Sequence, residues 1–184
     1  MEQACADKQL DVDTVLSEIQ ALQEVEIRPT SPTAPDLIDH ILRRYHEVHR
    51  QQLPELIRMA RRVEAVHRGH PQVPQGLADH LETMEQELLD HMAKEEQILF
   101  PLLRRGGHSR VMHPIGVMRQ EHVSHGAQIA KLAALTHQHE APDEACNTWR
   151  ALYAGTQRLT DDLMEHIHLE NNLLFPGFES DAAN

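Results

Sequence analysis

Aromatic residues are scarce in this 184-residue chain, with one tryptophan, two tyrosines and three phenylalanines. A core must therefore be assembled from Leu, Ile, Val, Met and Ala, a palette that favours helices. Positive charge is also short: 17 Lys and Arg against 29 Asp and Glu leave a formal net charge of −12. That balance argues against nucleic acid, which selects for concentrated Lys and Arg. Cysteine occurs only as Cys5 and Cys146, far apart and without CxxC spacing, so reduced thiols are expected rather than a disulfide framework. No apolar run approaches the ~20 residues of a bilayer span, and no signal peptide is recognisable. The expected compartment is the cytoplasm, without a membrane partner. The length suits one principal domain.

Histidine, by contrast, is abundant. Fifteen histidines exceed what packing needs, and they fall in pairs and clusters. The segment His91-Met-Ala-Lys-Glu95-Glu-Gln-Ile-Leu-Phe-Pro101 recurs 75 positions later as His166-Ile-His-Leu-Glu170-Asn-Asn-Leu-Leu-Phe-Pro176. Residues four apart share one helix face, so each His-x-x-x-Glu presents an imidazole and a carboxylate to one point. Both are good ligands for a first-row metal. A proline that cannot continue the helix closes each copy.

The repeat extends further. Tyr45-His46-Glu-Val-His49 and Glu121-His122-Val-Ser-His125 carry their histidines at an offset of 76. The order His, then His-x-x-x-Glu, thus occurs twice, as expected of two equivalent helical hairpins around one axis with a metal for each half. Spacing leaves open which of His46 and His49, and which of His122 and His125, would be the ligand, because each pair lies three apart on one face.

Four long helical patterns start near Asp36, broken at residues 69–74, 106–114 and 139–142, and Pro54 is expected to kink the first. The spacing predicts an all-α, up-down-up-down four-helix bundle over 36–178. A short amphipathic helix over 11–22 and a proline-rich linker make up residues 1–35, and 179–184 form a tail. The predicted core stripe of the second helix is Leu81, Met84, Leu88, His91, Glu95, Ile98 and Leu102, and that of the fourth is Leu159, Leu163, His166, Glu170 and Leu173. Buried carboxylates need a compensating charge, and a metal supplies it. A ferritin-type arrangement of two Glu-x-x-His motifs would use Glu64 with His67 and Glu165 with His168, but these are not in equivalent places.

These residues resemble the hemerythrin-like di-iron proteins and, within them, the repair-of-iron-centres (iron–sulfur cluster repair) family. The resemblance covers roughly 37–178. It rests on Arg-Tyr-His46 with Gln-Leu-Pro54-Glu-Leu, the His91 to Pro101 segment, Glu121-His122, and Asp161-Asp-Leu-Met-x-His166-Ile-x-Leu-Glu170-Asn-Asn. It implies two non-haem irons, oxo- or hydroxo-bridged, with His46, His91, His122 and His166 as terminal ligands and Glu95 and Glu170 as bridges. Tyr45, His49, Glu87, Glu121 and His125 become candidates for residues behind the ligands or along a path into the site. Four histidines are one fewer than the oxygen-carrying hemerythrins use, which leaves more positions for a small ligand. The resemblance implies repair of iron–sulfur clusters under nitrosative and oxidative stress, with damaged iron–sulfur proteins as partners. The centre would bind or reduce nitric oxide, in the manner of a nitric oxide reductase, or donate iron. The alternative is a module that senses or stores nitric oxide or oxygen without turnover. A monomer or homodimer fits. Family members usually carry an N-terminal domain with an adjacent Cys-Cys pair, of which residues 1–35 resemble a remnant.

Overall fold

The computed structural model describes residues 32–107 and 109–179. The chain divides into the units Met1–Thr33 and Ala34–Asn184; the helix expected over 11–22, most of the linker and the tail from 180 onward lie outside the described residues. In the second unit the helical periodicity becomes four rods. The first consists of α1 (Ala34–Ile41), a π turn (Leu42–His46) and α2 (Glu47–Val66). The second consists of α3 (Leu77–Lys94), a π turn (Glu95–Leu99) and α4 (Phe100–Arg104). The third is α5 (Met112–Leu135), and the fourth is α6 (Asn147–His168) with a π turn (Leu169–Leu174) and the short α7 (Pro176–Glu179). No strand occurs among the described residues. Because α2 and α5 each pack against both α3 and α6, the rods form the expected four-helix bundle. Pro54 lies inside α2, and the helical run continues through it to Val66.

The π turns overturn two sequence expectations. Ile98 and Leu173, placed on the core stripes by a 3.6-residue period, are 54% and 51% exposed, whereas Leu99, Phe100, Leu103, Leu174 and Phe175 are buried. The Phe100 N–H bonds the Glu95 carbonyl and the Phe175 N–H the Glu170 carbonyl, five residues back rather than four. One extra residue per turn rotates everything that follows, and the apolar face moves one position along the chain. Pro101 also fails to end its helix. It sits in the first turn of α4, where a missing N–H costs nothing, and Pro176 likewise opens α7.

The apolar core has two parts. One, around Leu53, Leu81, Leu88, Leu132, Trp149 and Tyr153, fills one end of the bundle. The other, around Ile38, Ile41, Phe100, Ile115 and Phe175, fills the opposite end. On every rod the residues between the two parts are polar and buried: His46 and His49, His91 and Glu95, His122 and His125, His166 and Glu170.

The loop joining the third and fourth rods holds His137, Gln138 and His139 at φ of 50°, 60° and 64°. For residues with a Cβ this left-handed region costs about 1–2 kcal/mol each. Local bonds hold it: the Gln138 N–H donates to the Ala133 carbonyl at 2.7 Å, and the His139 ring lies between the hydroxyls of Thr136 and Thr156. Gln138→Gly is expected to stabilise the protein by about 0.5–1 kcal/mol, since glycine relieves the strain and gives part of the gain back as unfolded-chain entropy. A urea midpoint that moves down instead would mean that the glutamine side chain contributes more than its backbone costs.

Candidate metal centre

The ligand-bearing residues sit where the helices depart from α geometry. His46 closes the first π turn, Glu95 opens the second, and Glu170 lies at the start of the third. His91 and His166 lie in the last turns of α3 and α6, just before those π turns, and His122 lies on α5, the rod without one. Within each His-x-x-x-Glu the expected convergence is present: His91 Nε2 is 3.5 Å from Glu95 Oε2, and His166 Nε2 is 3.3 Å from Glu170 Oε1. The other two histidines close on the same carboxylates, with His46 Nε2 3.3 Å from Glu95 Oε2 and His122 Nε2 3.0 Å from Glu170 Oε2. His46 Nε2 faces His166 Nε2 at 3.3 Å, and His122 Nε2 faces His91 Nε2 at 3.2 Å.

These contacts resolve into two groups of four, one of His46, Glu95, His166 and Glu170, the other of His91, Glu95, His122 and Glu170. In each, one atom per residue lies within 4.8 Å of all the others. All six residues are buried, and Glu95 and Glu170 belong to both groups. The carboxylates can therefore connect the two groups.

Electrostatics prepare the donors. Burial, with the His166 imidazole beside it, pushes His46 down to about 4, and burial pushes His91 down to about 3. Near neutral pH both imidazoles are uncharged, the form that ligates metal. Burial and the charge of Glu170 raise Glu95 well above the usual carboxylate range. For Glu170 burial acts the same way, but the neighbouring imidazoles of His166 and His122 outweigh it and hold the carboxyl well below that range. Two carboxylates in one dry site are thus pushed in opposite directions.

Ring orientation comes from behind. The Nδ1–H of His46 donates to Glu96 Oε1 at 2.7 Å, and that carboxylate is also held by Arg50. His91 donates to Glu121 Oε2 at 2.9 Å, with Lys94 on the other oxygen. His122 donates to Asn171 Oδ1 at 3.0 Å, which Arg119 fixes in turn. An acceptor on Nδ1 places the proton there and frees the Nε2 lone pair for a metal. Partial burial opposes ionisation of Glu96 and Glu121, yet the hydrogen bonds from His46 and Arg50, and from Lys94 and His91, hold both below the usual range.

The donor set fits a cation by its unmet demands. None of the four oxygens of Glu95 and Glu170 accepts a well-formed hydrogen bond, although all are buried. Such groups cost about 1–3 kcal/mol each, and more when charged. A positive ion within each group of four would meet every carboxylate and every inward Nε2 together. Nitrogen and oxygen donors of this kind suit first-row metals.

The remaining candidates are placed as follows. Tyr45 stacks on His166, with centroids 5.4 Å apart and planes 8° from parallel. His49 lies against His166, and His125 against His91. Both are buried; His49 has no partner on either ring nitrogen, nor has His125 on Nε2. Burial with the neighbouring His166 imidazole pushes His49 down to about 3, and burial with His122 pushes His125 down to about 4. Glu121 stands behind His91, as described. Glu87 does not join the site: it is exposed and accepts from Gln128. The ferritin-type motifs are not assembled either. His67 contacts Cys146 Sγ at 3.3 Å, Glu64 accepts from the Ala78 N–H, and His168 accepts from Asn172.

Sequence reasoning missed Glu96 and Asn171. A signal existed, since both directly follow a repeated glutamate and stand 75 apart, so the duplicated segment carries its outer acceptor at the same place in each copy.

Comparison with known proteins adds to this geometry. The hemerythrin HHE cation binding domain family matches residues 37–178. The chain is 49% identical over 178 residues to the iron–sulfur cluster repair protein YtfE of Citrobacter koseri, covering 96% of this chain and 81% of that relative. It is 48% identical, with the same coverage, to the proteins of that name from Escherichia coli O81 and Escherichia fergusonii. No helix among the described residues is long and apolar enough to cross a membrane.

Proposed function

The chain belongs to the hemerythrin HHE cation binding family and, within it, to the iron–sulfur cluster repair proteins, and from that premise we propose that it is a non-haem di-iron protein that restores damaged iron–sulfur clusters. The observation that carries this reading is the pair of four-residue groups sharing Glu95 and Glu170. His46 and His166 would hold one iron, His91 and His122 the other, and the two glutamates would bridge them. When bound, the irons supply redox chemistry and open coordination positions for a diatomic such as nitric oxide.

The protein's own groups do the rest. The outer acceptors on His46, His91 and His122 fix the tautomer that presents Nε2 inward. The apolar clusters at either end keep bulk water from the polar layer, which strengthens each electrostatic contact there. Carboxylate and imidazole ligate in their deprotonated forms, so metal loading is expected to release protons. The relatives' name supports repair, with damaged iron–sulfur proteins as partners; the cytoplasm would be its place, and binding or reducing nitric oxide, or donating iron, its means.

Protein purified without oxygen is expected to hold two irons per chain by metal analysis, coupled by Mössbauer spectroscopy. It should also restore activity to an enzyme whose [4Fe–4S] cluster has been damaged by nitric oxide or peroxide. Two irons and nitric oxide bound stoichiometrically, with no nitrous oxide and no restored activity, would favour the sensing or storage module instead. One metal, or zinc alone after loading with excess iron, would remove the di-iron reading.

A further inference from the structure

The two groups of four each draw equally on the two equivalent halves of the chain, yet they differ behind the imidazoles. Three of the four ring Nδ1 atoms have an acceptor: Glu96 for His46, Glu121 for His91 and Asn171 for His122. The fourth, His166 Nδ1, is buried with no partner. We propose that the two metal positions are therefore unequal, and that the ion held between His46 and His166 is the exchangeable one, given up first. This rests on the two-position reading above.

The difference traces to one residue. Offsets of 75 and 76 relate the halves, so Glu96 is the counterpart of Asn171, and Glu121 is the counterpart of Tyr45. Glu121 supplies the carboxylate behind His91, with Lys94 to steady it. At the matching place behind His166 stands Tyr45, which stacks face to face on the ring instead of accepting its proton. His49 packs beside Tyr45 against the same ring, with centroids 5.7 Å apart. Behind the ring, His166 therefore has packing where the other three imidazoles have an acceptor.

Packing sets the ring's position but neither its tautomer nor its basicity. To offer the Nε2 lone pair, His166 must carry its proton on Nδ1, where nothing buried beside it accepts. Without metal the proton is better placed on Nε2, which has His46 and Glu170 within 3.3 Å. Loading this position therefore requires a tautomer change toward an unsatisfied donor. The position between His91 and His122 requires none, because both of its rings are already held in the ligating form. Outer acceptors of this kind change metal affinity about 10–100-fold, and a separation of that size is expected here.

The test is anaerobic release of iron from protein carrying two Fe(II) per chain into excess ferrozine. The wild type should release one ion per chain in a fast phase and the second about 10–100 times more slowly. Glu121→Gln should accelerate the slow phase about tenfold or more and leave the fast one unchanged. Glu96→Gln should accelerate the fast phase and widen the gap. Should Glu121→Gln fail to fold, Asn171→Leu acts on the other imidazole of the same position and reads the same phase. Release of both ions in a single phase, or Glu121→Gln acting on the fast phase, would overturn the proposal while leaving two metal positions intact. Protein that never holds two ions would instead remove the two-position reading, and this proposal with it.

Discussion

Replacing Glu95 and Glu170 together with glutamine is expected to reduce bound iron from two ions per chain to near zero while leaving the bundle folded. Each group of four loses both of its carboxylates. Lost outer acceptors alone cost about 10–100-fold in metal affinity, so loss of two direct donors should cost on the order of a thousandfold or more at both positions. Glutamine keeps the side-chain volume, and its amide can bond the inward imidazole nitrogens, so helical content and the melting transition of the metal-free protein should survive. The single substitutions are diagnostic. Glu95→Gln should weaken both positions because Glu95 belongs to both groups, whereas His46→Ala should weaken only one. Iron retained at two per chain in the folded double variant would show that the carboxylates are not ligands.

The metal-free protein is expected to lose most of its stability between about pH 6.5 and pH 5. Four buried imidazoles, His46, His49, His91 and His125, are pushed from 6.5 to between about 3 and 4 by burial and by neighbouring imidazoles. The unfolded chain protonates them below 6.5 and the folded chain does so only near 3–4, so the unfolded state binds more protons across that window. Stability is then lost as pH falls, at about 1.4 kcal/mol per group per pH unit. By pH 5 this amounts to roughly 5–10 kcal/mol, comparable with the whole stability of an ordinary domain. Glu95 works in the opposite direction, since its raised carboxyl favours folding at low pH, but it is one group against four. Urea midpoints of metal-free protein at pH 7 and pH 5 should differ accordingly, and iron-loaded protein should shift its loss to lower pH because protons must first displace metal. Equal midpoints in the metal-free protein would mean that the imidazoles are not held neutral by burial.

Much of this architecture is written in the periodicity of the chain. The four helices follow from apolar spacing, and the convergence of each His-x-x-x-Glu pair follows from a motif duplicated at matched offsets; the choice of His46 over His49 and of His122 over His125 comes from the family resemblance. What spacing could not supply was the π turn. A 3.6-residue period placed Ile98 and Leu173 inside, and the wider turns after Glu95 and Glu170 turn them outward and bring Leu99 and Leu174 in. No residue type announces such a turn, because it is set by what the helix must bury beyond the glutamate. The outer acceptors were hidden for a different reason. Glu96 and Asn171 look like solvated neighbours of a ligand, and only the packing of one rod against another shows which imidazole each one meets. Glu87 shows the converse, a carboxylate one turn before His91 on the same helix that bonds Gln128 on the next rod instead.

The crossed composition of the two groups bears on the origin of the chain. Each group draws one imidazole and one carboxylate from the first hairpin and one of each from the second. A lone hairpin could complete neither position, whereas two copies related by a twofold axis would complete both. An ancestral polypeptide of half this length could therefore have held metal only as a homodimer. A single chain frees the halves from identity: position 45 is tyrosine where position 121 is glutamate, a difference that no pair of identical subunits could carry.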